Sequence, residues 1–138
     1  MSDVVVSSGA IMGPADSLWI LEEARVCFVN GHFVAALVLC CAFADQVISD
    51  ELRDRGFRNV SSDLAVCREN SVFDGGLLNE IEALRKIRRG YVHRLSDEHH
   101  SRLHNRIRAR NLHPRRIMED DAKRAIKCMY GFHRATLR

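Results

Sequence analysis

Residues 32–55 read HFVAALVLCCAFADQVISDELRDR, and the placement of this run decides the fold. Between Arg25 and Asp45 only His32 can carry charge, so a membrane crossing has to be weighed first. Asn30 and Gly31 interrupt the stretch and leave the twelve residues 33–44 as its apolar part. A bilayer crossing needs about 20 apolar residues, so twelve fit a buried core helix better. A helix apolar on every side over this length belongs at the centre of a bundle. Its second half, DQVISDELRDR, returns to an amphipathic pattern, and Gly56 closes it. The fold class that follows is all-α, a bundle of four to five helices around residues 32–55.

The rest of the chain extends this reading. Its 138 residues suffice for one domain with a core and are too few for two ordinary ones. Hydrophobic residues at 46% and charged residues at 28% exclude a disordered chain. Residues 1–14 read as a flexible leader ending at Gly13-Pro14, and 15–138 as a single helical domain. Asp16 or Ser17 caps a first helix to about residue 30, with Leu18, Leu21, Ala24 and Phe28 along one side and Gly31 as its stop. Ser61 or Ser62 caps a short helix to about residue 70, and VFDGG breaks the chain after it. A fourth helix over 77–95 carries Leu77, Ile81, Leu84, Ile87, Tyr91 and Leu95 at helical spacing. Residues 96–116 are polar, a basic arm or loop with one short helix that stops before Pro114. A last helix over 118–137 aligns Met118, Ala122, Ala125, Ile126, Met129 and Phe132. Trp19 and these apolar stripes read as core.

Charge is divided unevenly along the chain. Residues 1–75 hold 5 arginines and 11 acidic residues, whereas 76–138 hold 16 basic and 7 acidic ones. The second half therefore carries a positive field that attracts phosphates or an acidic partner. Arginine dominates over lysine, and its planar fork suits bidentate phosphate or carboxylate contacts. The five cysteines form no C-x-x-C pair, and an odd count in apolar settings points to a reducing compartment. The N-terminus lacks a basic start and an apolar signal core. The expected location is cytoplasmic, with no membrane contact.

One stretch carries candidate chemistry. Residues 83–95, ALRKIRRGYVHRL, place Arg85, Lys86, Arg88, Arg89 and Arg94 around His93. An arginine followed by a histidine after four to six residues occurs six times in this chain, about twice what composition alone produces, so the spacing by itself decides little. Arg88 and His93 stand out because they lie on a well-formed amphipathic helix, and catalysis needs groups held on rigid elements. On a straight helix these two point about 140° apart, whereas Arg89 and His93 share a face. Either Gly90 loosens the helix or a second copy of the chain completes the site. His99, His100 and His104 include an i, i+4 pair that could hold a metal, but no thiol or carboxylate completes a first shell, and no metal or cofactor is expected.

EALRKIRRGYVHRL (82–95) resembles the signature of the HEPN superfamily of small α-helical domains, an L-R-x-x-R-N-x-x-x-H arrangement. LEEARVCFVNGHFVAALVLCCAFADQVISDEL (21–52) is similar to that family's pair of long helices joined by a short turn, and GLL (76–78) precedes the arginine helix as it does there. The resemblance implies a homodimeric bundle of four to five helices and a metal-independent endoribonuclease of the toxin or phage-defence type. Carried over by position, Arg88 and His93 are the catalytic pair. Asp45 stands where the family often has an acidic residue, and Arg89 replaces the usual Asn or Asp. Asp45, Arg89 and Tyr91 are the supporting residues. Arg85, Arg94, Arg102, Arg106 and Arg108 are the candidates for holding the RNA backbone. Residues 96–116 lack aromatics that could stack on bases, so sequence-specific reading of RNA is not expected. Expected partners are RNA, a second copy and a cognate antitoxin or regulatory protein. The alternatives are a non-catalytic RNA- or protein-binding module of the same fold and, less well matched, a helical DNA-binding regulator.

Overall fold

The computed structural model describes residues 9–93, 99–100 and 102–137, with side chains from residue 17 onward. The described residues form six α-helices: α1 (Gly9–Val29), α2 (Phe33–Asp54), α3 (Asp63–Glu69), α4 (Gly75–Val92), α5 (Leu103–Arg110) and α6 (Pro114–Thr136). No strand occurs among these residues. Helices α2 and α6 lie together at the centre, with α1 and α4 packed against both. Short α3 bridges α2 and α4, and α5 lies against α6.

The central position of α2 follows from its sequence. Ala36, Leu37, Cys40, Cys41, Phe43, Ala44, Val47, Ile48 and Leu52 are all buried, so the helix meets neighbours on most of its girth. By length and apolar composition α2 could cross a membrane, but in this fold those side chains form the core instead. Facing it, α6 buries Ile117, Ala122, Ala125, Cys128, Met129 and Phe132, and α4 buries Leu78, Ile81 and Leu84. Fully burying one such large side chain contributes about 1.5–3 kcal/mol.

The turns obey local chemistry. Gly31, at φ +79°, ends α1, and the His32 N–H returns to the Cys27 carbonyl at 2.8 Å. Gly56, at φ +90°, follows α2 in the same way. The Ser62 hydroxyl accepts the Ala65 N–H and starts α3, as the sequence predicts.

Three sequence expectations need correcting. First, α1 begins at Gly9 and runs through Pro14, so Asp16 and Ser17 do not cap it. The Ser17 hydroxyl instead donates to Gln46 Oε1 at 3.0 Å from a buried position. Residues 1–8 of the expected leader lie outside the described residues. Second, Trp19 and Leu18 are 67% and 51% exposed and do not belong to the core. Of the expected stripe on α1, Ala24 is buried and Leu21 packs against the core, while Leu18 lies outside with Glu22, Glu23 and Arg25. The small residues Ser17 and Ala24 allow closer approach and take the inner positions. Third, α6 starts at Pro114 rather than near Met118. Proline lacks the N–H that a first helical position leaves unpaired, so it opens this helix.

Candidate functional site

Helix α4 positions the arginines. Asp74 Oδ2 accepts the Leu77 N–H at 3.3 Å and fixes its start, and burial of Leu78, Ile81 and Leu84 sets its rotation. Arg85 and Arg88, three residues apart, then share the flank that meets α2. Arg85 donates to Asp45 Oδ1 through Nε and Nη2 at 3.0 and 2.7 Å. It also donates to Asp63 Oδ1 and Oδ2 through Nη1 and Nη2 at 2.9 and 2.8 Å. Arg88 Nη1 reaches the other Asp45 oxygen, Oδ2, at 3.1 Å. Two guanidiniums and two carboxylates therefore balance one another, and Asp45 divides its oxygens between the two arginines.

The four groups have different freedom. Arg85 makes four bonds, and its side chain is only 20% exposed. The hydrogen bonds it donates to Asp63 and the charge of Asp45 outweigh burial and raise its pKa further. In return the Arg85 hydrogen bonds hold the Asp63 carboxyl below the usual carboxylate range. Arg88 makes one bond among the described residues, which leaves donors for another anion. Arg89 is exposed.

His93 takes no part in that network. Helix α4 stays helical through Gly90 to Val92, so Gly90 does not loosen it. His93 is the C-cap, with extended backbone at φ −122°, ψ 148°, and its N–H donates to the Arg89 carbonyl at 3.0 Å. Its side chain is exposed. The helical register that would hold Arg88 and His93 about 140° apart thus ends one residue before the histidine.

A second charged cluster lies at the same end of α4. Asp121 on α6 is 2% exposed and accepts the Tyr91 hydroxyl at 2.7 Å and Arg106 Nη1 and Nη2 at 2.7 and 2.6 Å. Burial, together with the Asp121 carboxylate, pushes the Tyr91 phenol well above its ordinary range. Burial alone would lower the Arg106 pKa, but the Asp121 hydrogen bonds and charge reverse that and raise it. Of the expected RNA-binding arginines, Arg85 and Arg106 are therefore committed to carboxylates. Arg108 Nη2 lies 3.3 Å from His104 Nε2, Arg102 is the N-cap residue of α5, and Arg94 lies outside the described residues.

Reading the sequence missed Asp63 and Asp121. A signal for Asp121 exists: it falls between Ile117 and Ala125 at four-residue spacing, on the buried stripe of α6. Asp63 offers none, because an acid in the first turn of a helix is ordinary.

Other chemistry is sparse. All five cysteines are free, and burial pushes the thiols of Cys40 and Cys128 up to about 12 and that of Cys41 to about 11. Such thiols remain protonated and unreactive near neutrality. The rings of His99 and His100 stack at 4.7 Å. Among the described residues no group of three or more His, Cys, Asp or Glu side chains could hold a metal ion. An open cleft of about 330 Å³ beside Asp63 is lined by Leu52, Phe57, Arg58 and Val60, and neither Arg88 nor His93 borders it. Comparisons with family models, with curated proteins and with solved structures return no match.

Proposed function

We propose that the chain is a metal-independent endoribonuclease of the HEPN type, acting as a cytoplasmic homodimer in toxin or phage-defence biology. The observation that carries this reading is the Asp45 carboxylate, which holds Arg88 by Oδ2 while Arg85 fixes it from the other side. A guanidinium braced in this way keeps spare donors in one place, on the helix whose end presents an exposed imidazole.

In the proposed reaction the His93 imidazole removes the proton from a ribose 2′-hydroxyl. The 2′-oxygen attacks the adjacent phosphorus and the bond to the 5′-oxygen breaks. The departing oxygen takes a proton from the imidazolium so formed or from that of the second copy. Products are a 2′,3′-cyclic phosphate and a 5′-hydroxyl. Arg88, assisted by exposed Arg89, stabilises the charge that accumulates on the phosphate oxygens. Arg89, in place of Asn or Asp, supplies a second cation here.

The test is incubation with labelled RNA in EDTA, with product termini identified by mass spectrometry. His93→Ala should lower the cleavage rate about 10²–10⁴-fold and leave the dimer intact. Undiminished cleavage by that variant, or no cleavage by the unaltered protein, would overturn the assignment. The second reading, a non-catalytic RNA-binding module, is favoured by one observation, the ion pair that Arg88 already makes. It predicts RNA binding with no cyclic phosphate formed.

A further inference from the structure

Helix α5 is fastened differently from the helices of the core. None of its side chains is buried. Besides the more exposed Arg110–Asp120 pair, what holds it is an interior carboxylate: Asp121 on α6 takes both terminal nitrogens of Arg106 and also the Tyr91 hydroxyl. Arg106 is itself 14% exposed, and its guanidinium carbon lies 6.0 Å from the Tyr91 ring centroid. One buried anion thus ties together three helices: the one that carries it, α5, and the last turn of α4. Tyr91 stands two residues before His93.

The outward side of α5 is cationic. His104 and Arg108, one turn apart, are exposed with their nitrogens 3.3 Å apart, and among the described residues no carboxylate contacts either. Arg110 and Arg116 are both offset by Asp120, and Lys123 by Glu119. The His104–Arg108 pair therefore keeps N–H donors to spare on this surface. A phosphate bridging it would gain charge-assisted hydrogen bonds from both. A carboxylate as deeply buried as Asp121 is tolerated only while its cation stays in place, so the ion pair fixes where α5 lies.

We infer that Asp121 is a positioning residue: it latches α5 against the end of α4, so that Arg108 and His104 hold a phosphate of single-stranded RNA leading to His93. The last clause rests on the ribonuclease reading. The latch and the phosphate contact do not.

Asp121→Asn in the full chain tests this with three measurements: cleavage of a dinucleotide and of a twelve-nucleotide RNA, salt-dependent binding of the longer RNA, and amide exchange. The expected result is a fall of about tenfold in kcat/KM on the longer RNA, mostly in KM, with the dinucleotide changed less than about twofold. Binding should weaken and the slope of log affinity against log salt should shrink by about one. Amides of α5 should lose protection while those of α2 keep theirs. Arg108→Gln should reproduce the binding loss with α5 still protected. Equal loss on both substrates would make Asp121 merely structural and overturn the inference. So would unchanged RNA affinity once α5 is released, or duplex DNA bound as tightly as RNA. If the unaltered protein cuts no RNA, the ribonuclease reading fails, and binding and exchange still decide the latch. If Asp121→Asn also strips protection from α2, Arg106→Lys is judged by the same criteria, since it keeps the charge and loses the two-pronged contact.

Discussion

Helices α2 and α5 are held in place by opposite means. Helix α2 buries nine side chains, whereas α5 buries none and is tied to α6 through Arg106–Asp121 and Arg110–Asp120. Apolar burial is non-directional and sums over many contacts, so the position of α2 survives the loss of any one of them. An ion pair is directional and singular. The frame of this protein is set by area, and the placement of its basic arm is set by a few charges. That difference bears on function because Arg88, proposed for catalysis, is braced by the frame through Asp45, whereas Arg108, proposed for RNA contact, stands on α5.

The largest expected effect comes from breaking the apolar side of this contrast. Phe132 is fully buried on α6 and meets Phe73 edge to face with ring centroids 5.2 Å apart. Phe132→Ala should cost about 3–5 kcal/mol in urea-induced unfolding, and α2 should lose exchange protection together with α4 and α6. A loss below about 1 kcal/mol would mean that the frame is not centred where α2 and α6 meet.

A smaller effect should follow from acid, through the charged network of α2, α3 and α4. The Arg85 hydrogen bonds depress the pKa of Asp63 in the folded state below its unfolded value of about 3.9. A depressed carboxyl adds stability that is present above the unfolded pKa and is lost as pH falls through the folded one. The melting temperature should therefore drop between about pH 4 and the lower folded value, and Asp63→Asn should drop less over the same window. Parallel pH profiles for the two proteins would remove Asp63 from the network.

What the sequence makes legible follows the same division. The central helix, observed as Phe33–Asp54, and the body of the arginine helix, observed as Gly75–Val92 and so ending before the expected 95, rest on spacing. The stops at Gly31 and Gly56 and the cap at Ser62 rest on local backbone chemistry, and a linear reading captures both in large part. The resemblance directs attention to Arg88, His93 and Asp45, and the structure places two of these three in contact. The links Asp63–Arg85 and Arg106–Asp121 join residues 22 and 15 positions apart on different helices, and nothing local specifies them. Helix α1 is legible in part: the expected stripe puts Ala24 inside and Leu21 against the core, whereas Leu18 and Trp19 face out, a choice among apolar residues that only packing makes.

The smallest effect concerns the surface counterpart of the latch. Arg25 and Glu22 on α1 are paired at i, i+3 with side chains 50% and 53% exposed, against 14% and 2% for Arg106 and Asp121. Both pairs join an arginine to a carboxylate at close range, so distance does not separate them. Solvent does. An exposed pair gains little over hydration and is screened by salt, whereas removing one partner of a buried pair strands the other. Glu22→Gln should therefore leave the melting temperature unchanged within error at both low and high salt, and α5 should keep its exchange protection. A destabilisation matching that of Asp121→Asn would mean that burial does not distinguish the two pairs, and the contrast between frame and latch would lose its physical basis.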